Sequence, residues 1–105
     1  MRFYKYTAIY TPEKEDKNVY YDVSIPAYPE IHTFGDSIEE ARFMAQDALE
    51  LTILSMLDDD IHPRADKKSQ RVAKNAKVED IVVAIDHKVS ATPFENVKNS
   101  IFQTA

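Results

Sequence analysis

Three consecutive aspartates, Asp58, Asp59 and Asp60, and three scattered histidines, His32, His62 and His87, are the side chains from which metal-assisted or acid–base chemistry would have to be built here. A divalent-metal site gathers oxygen ligands from separate elements onto one point, whereas adjacent acids near a helix end point in different directions. The aspartate run therefore reads as a solvated helix end. Asp22, Glu40 and Asp86 form an alternative carboxylate set from two strands and a helix. Glu40 is already explained as a helix cap, and Asp22 and Asp86 fit the polar parity of their strands, so no nuclease centre is expected. The histidines lack the spacing that puts two imidazoles on one helical face, and no nucleophile elbow accompanies them. Zero cysteines exclude thiolate nucleophiles, disulfides and cysteine-ligated metals, and a single glycine, Gly35, excludes a glycine-rich phosphate cradle. The chain reads as a non-enzyme with no cofactor and no metal.

Charge carries more information. Residues 1–63 hold 5 basic and 13 acidic side chains, residues 64–77 hold 6 and 1, and residues 78–105 hold 2 and 4. An acidic body repels nucleic acid and speeds association with a basic partner. Arg64, Lys67, Lys68, Arg71, Lys74 and Lys77 are the one basic segment. It is a place for sequence-independent phosphate contacts, or for docking on the acidic body of a second copy, although no aromatic residue interleaves it to stack bases. With 105 residues there is material for one domain, and 44% hydrophobic with 30% charged residues fits an ordinary soluble fold. The N-terminus has no apolar signal region and no stretch is long enough to span a bilayer, which predicts a cytoplasmic protein.

The elements that must position these groups follow from periodicity. Phe3 to Tyr10 is aromatic and β-branched, hence a strand, and the charged run 11–18 around Pro12 reads as a solvated connection. Val19 to Ile25 alternates and stops at Pro26, and a short third strand is expected over Ile31 to Phe34. Ser37 followed by Glu40 is a capping box, opening a helix predicted over Ser37 to Leu57. Its apolar stripe comprises Ile38, Ala41, Ala45, Ala48, Leu49, Thr52, Ile53 and Met56, flanked by Phe43, Leu51, Leu54 and Leu57. Residues 64–77 are expected to be a mobile connection or a short helix around Arg71 to Lys77. Asp80 to Val89 reads as a last strand partly buried on both sides, and 91–105 as a tail with a possible short helix. The fold class is α+β: a β-β-β-α-β domain with an antiparallel-leaning sheet and one main helix on one face. The opposite face is expected to be exposed and rich in tyrosine, and with its edge strand to favour a homodimer.

Three strings, Tyr20-Tyr21-Asp22-Val23-Ser24-Ile25-Pro26, Thr33-Phe34-Gly35-Asp36-Ser37-Ile38-Glu39-Glu40-Ala41 and Ala45-Gln46-Asp47-Ala48-Leu49-Glu50, resemble the HicB-like antitoxin family. The resemblance covers residues 1–63 best. It implies a truncated RNase H-like fold without nuclease activity, and as partner a small RNA-cleaving toxin, HicA, whose active surface is covered. Two departures stand out: Ala27-Tyr28-Pro29-Glu30 replaces the family's Leu-Pro-Gly, and residues 89–105 are short and weakly basic for a DNA-binding segment, so operator binding is not expected.

An RNA-cleaving toxin presents a basic surface, so acids and aromatic anchors are the expected partner-binding set: Glu13, Glu15, Asp16, Tyr20, Tyr28, Glu30, Asp58, Asp59 and Asp60. The alternatives are an interaction module that keeps this scaffold without a toxin, and a nucleic-acid binder using the basic segment.

Overall fold

A computed structural model describes residues 1–69 and 71–87. Four strands, β1 (Arg2–Glu15), β2 (Asn18–Ser24), β3 (Thr33–Gly35) and β4 (Lys77–Ile85), form one sheet in the order β3-β2-β1-β4, and helix α1 (Ile38–Asp58) packs on one face. Every pairing is antiparallel. The expected fold class is the one observed.

The first hairpin is longer than its sequence suggests. β1 runs on through the charged stretch to Glu15 and pairs with β2 from Ile9↔Ser24 to Glu15↔Asn18, leaving only Asp16-Lys17 as the turn. Asp16 takes φ 56°, a left-handed conformation that Asp tolerates better than most residues. Beyond Tyr10, β4 no longer pairs with β1, and a strand with one free edge accommodates Pro12.

Alternation decides what is buried. Tyr6, Ala8 and Tyr10 of β1, Val23 of β2, and Ile81, Val83 and Ile85 of β4 meet Ala41, Ala45, Leu49 and Ile53, a strict four-residue row along α1. Burying Leu49 and Ile53 contributes about 1.5–3 kcal/mol each. The alanines bring α1 close to the sheet. Gly35 is required there because a Cβ would strike the backbone N and Cα of Ala41.

The helix begins as its capping signature predicts. Ser37 Oγ accepts from the Glu40 amide at 3.1 Å, and Glu40 Oε1 accepts from the Asp36 amide at 2.5 Å, one residue earlier than in the standard box. It ends in a Schellman arrangement. The Asp60 amide donates to Leu57 O and the Ile61 amide to Met56 O, with Asp60 at φ 59° where glycine is usual.

Several expectations need correction. Phe43 and Leu51 face solvent at 63% and 62% exposure, because they lie off the stripe that meets the sheet. β4 is buried on one side only: Val82 is half exposed while Ile81 and Val83 are covered, since α1 occupies a single face. The open face is not rich in tyrosine. Tyr6, Tyr10 and Tyr28 are inside the core, and the aromatics on the sheet face away from α1 are Phe3, Phe34 and the half-buried Tyr20. No helix forms among the described residues of 71–77, where only a turn closed by the Ala76 amide on Ala73 O precedes β4. β4 starts earlier than expected, at Lys77, and ends at Ile85, short of Asp86 and His87; the expected strand residues 88–89 and the expected tail over 91–105 lie outside the described residues.

Candidate functional site

The basic segment begins as a strap rather than a loose linker. β2 leaves β1 after Ser24, and residues 64–68 run along the vacated edge. Asp66 accepts from the Thr7 amide at 2.8 Å and from the Thr7 hydroxyl at 2.9 Å, replacing the missing strand partner. Burial alone would raise the Asp66 carboxyl, but the Thr7 bonds outweigh it and hold the group below the usual carboxylate range. The Arg64 amide donates to the Tyr28 hydroxyl at 3.0 Å, and the Tyr6 hydroxyl donates to Arg64 O at 2.6 Å. The two hydroxyls are 2.9 Å apart, so Tyr28 must be the donor to Tyr6, and every proton in the ring has a place.

These contacts remove Tyr28 from the expected exposed anchors and give Glu30 and Arg64 a partner within the chain. Tyr28 is fully buried, its ring 5.0 Å from Tyr6 in an edge-to-face arrangement, and so it is not an exposed anchor. Glu30 bonds the Arg64 guanidinium at 2.8 Å, which lowers the Glu30 carboxyl and raises Arg64. Arg64 also bonds Ala27 O and lies 4.8 Å from the Tyr28 ring centroid, so it serves the fold. Lys68 is held near Thr7 and Asp80, whereas Lys67, Arg71, Lys74 and Lys77 are exposed. A second staple joins helix to sheet: Arg42 bonds Glu79 through two nitrogens at 2.6 and 3.0 Å, and the Tyr10 hydroxyl donates to Glu79 at 2.7 Å. Arg42 and then Tyr10 hold the Glu79 carboxyl low, while burial and the bond to Glu79 push the Tyr10 hydroxyl up.

The remaining expected partner residues separate into two ends. Asp60 shares a groove with Arg2, His62 and Ile85, and Asp58 bonds the His87 ring at 2.9 Å. Glu13, Glu15 and Asp16 lie at the other end of β1, roughly 40 Å away at ~3.3 Å per strand residue. They do not form one surface with the aspartate run. Asp22 and Glu40 stay in their strand and capping positions, and among the described residues no three His, Asp or Glu side chains are grouped to hold a metal ion.

What the hairpin end does hold is a wide groove of about 890 Å³, lined by Glu15, Lys17, Asn18, Val19, Tyr20, Asp22, Phe34 and Asp36. Tyr20 and Phe34 meet edge to face at 5.8 Å between centroids, and Phe34 is 59% exposed. Glu15 and Tyr20 belong to the expected partner-binding set. Phe34, Asp22 and Asp36 do not, and the approach of Asp22 and Phe34 depends on the pairing Asp22↔Phe34 between β2 and β3.

A model of the HicB-like antitoxins of bacterial toxin–antitoxin systems matches residues 7–101. The chain belongs to that family. Among solved structures, a toxin–antitoxin complex from Streptococcus pneumoniae superposes with a TM-score of 0.66 at 14% identity, covering 98% of this chain and 88% of that one. The antitoxin HicB from Burkholderia pseudomallei gives 0.51 at 20% identity, covering 93% and 80%. At these identities the likeness is one of fold. No curated protein matches. This HicB-like chain is thus an antitoxin-family protein, and among its described residues no helix is long and apolar enough to cross a membrane.

Proposed function

We propose that the chain is the antitoxin of a HicA-type toxin: a cytoplasmic, non-enzymatic protein that binds a small, basic RNA-cleaving protein and covers its active surface. The observation that carries this reading is the family match over residues 7–101. The charge layout supports it. Of the five basic side chains among residues 1–63, Arg42 is tied to Glu79, while thirteen acids serve the same stretch. An acidic cover competes with RNA for a basic surface and accelerates encounter at low salt.

Co-expression tests the reading. A short basic reading frame should adjoin the gene and arrest growth when expressed alone, and the chain should restore growth. Continued arrest in the presence of folded chain refutes the assignment. We also propose a homodimer, since the sheet leaves β3 and β4 as edge strands, and a monomer in sedimentation at micromolar concentration contradicts that.

A further inference from the structure

We propose that the hairpin-end groove is an arginine-binding site, into which one guanidinium side chain of the basic partner inserts. The inference rests on the antitoxin reading for the identity of the partner, and adds where and by what chemistry it is gripped.

The groove pairs two features that guanidinium recognition needs. Its floor is aromatic: Tyr20 and Phe34 meet at 73°, and an edge-to-face pair leaves ring surface free for a planar cation. Its rim is acidic: Glu15, Asp22 and Asp36 line the opening, with Lys17 on the turn as the single cation. Among the described residues none of these three carboxylates is in an ion pair, whereas Glu30 and Glu79 each hold an arginine of the same chain. Phe34 is 59% exposed on a three-residue strand, so the fold gains little by placing a phenyl ring there. Arg64, 4.8 Å from the Tyr28 ring and bonded to Glu30, shows the same ring-and-carboxylate grip satisfied within the chain. Arginine suits this site better than lysine because its flat, weakly hydrated head stacks on a ring while its edge forks to a carboxylate.

The test uses the full chain with Phe34→Ala, Asp22→Asn and, as a control on the outer helix face, Glu50→Gln, each checked for native circular dichroism. If wild type binds the purified toxin and Phe34→Ala and Asp22→Asn each weaken binding about tenfold while Glu50→Gln stays within about twofold, the groove is the grip. If wild type binds and the groove variants bind equally well, the inference falls and the antitoxin reading stands. If wild type binds no toxin, the antitoxin reading falls, and a short Gly-Arg-Gly-Arg-Gly peptide titrated against ¹⁵N-labelled chain decides the groove alone. Saturable shifts at Tyr20, Asp22 and Phe34 that vanish with the citrulline peptide support it. Equal shifts with citrulline, or shifts spread over Asp58 to Asp60 instead, overturn it.

Discussion

The hydroxyls of Tyr6 and Tyr28 stand 2.9 Å apart in the core, and the backbone of Arg64 closes the pair by accepting from one and donating to the other. The first part of the basic segment is thereby fixed to the sheet by polar bonds between residues far apart in sequence. Tyr28→Phe leaves the Arg64 amide without its acceptor and should cost about 1–3 kcal/mol in urea denaturation. Tyr6→Phe should cost a similar amount, and the double variant less than the two costs added, because the groups form one network. Additive losses would contradict the ring.

Gly35 serves close approach, since its φ is not in the left-handed region. Gly35→Ala should destabilise by about 1–3 kcal/mol or more, because the obstacle is the backbone of α1 and cannot swing aside. A thermal midpoint unchanged from wild type would show that α1 does not lie this close to β3.

Asp60 occupies the left-handed position after α1, and the helix carries no basic residue in its last turn to offset three terminal aspartates. Asp60→Gly should stabilise the protein by about 1 kcal/mol, removing both backbone strain and an unfavourable charge. Asp59, at φ −92°, should give no such gain when replaced by glycine. The two variants compared in one denaturant series test the assignment.

Stability should fall at both ends of the pH scale. The Glu79 and Asp66 carboxyls are held low in the folded chain, so their contribution is present above about pH 4 and is lost on acidification below it. The Tyr6 and Tyr10 hydroxyls are pushed up by burial first, and Tyr10 also by its bond to Glu79, so their contribution is present below about pH 10 and is lost above it. Glu79→Gln should make the acid limb of the urea midpoint shallower. An unchanged acid limb contradicts the role given to Glu79.

The parts legible in sequence were those set by neighbours in the chain. Ser37 and Glu40 mark the start of α1, and the row Ala41, Ala45, Leu49, Ile53 marks its buried side. Phe43 and Leu51 misled because hydrophobicity alone does not say which side meets the sheet. The long hairpin was hidden because residues 11–15 project beyond the strip that β4 pairs with and bury little, so they carry no apolar alternation. The tyrosines were misplaced for a different reason: the partners that satisfy Tyr6, Tyr10 and Tyr28 lie 22 to 69 residues away, and no local pattern announces them. Of the groove's lining, Glu15 and Tyr20 alone are in the set expected from sequence, and the approach of Asp22 and Phe34 depends on the register between β2 and β3.

The central claim, that this acidic domain masks a basic RNA-cleaving protein, is tested most directly by RNA cleavage with the purified toxin and rising amounts of the chain. The account predicts stoichiometric loss of cleavage, with association slowing as salt rises. Cleavage that continues undiminished beyond one equivalent of folded chain at low salt would contradict it.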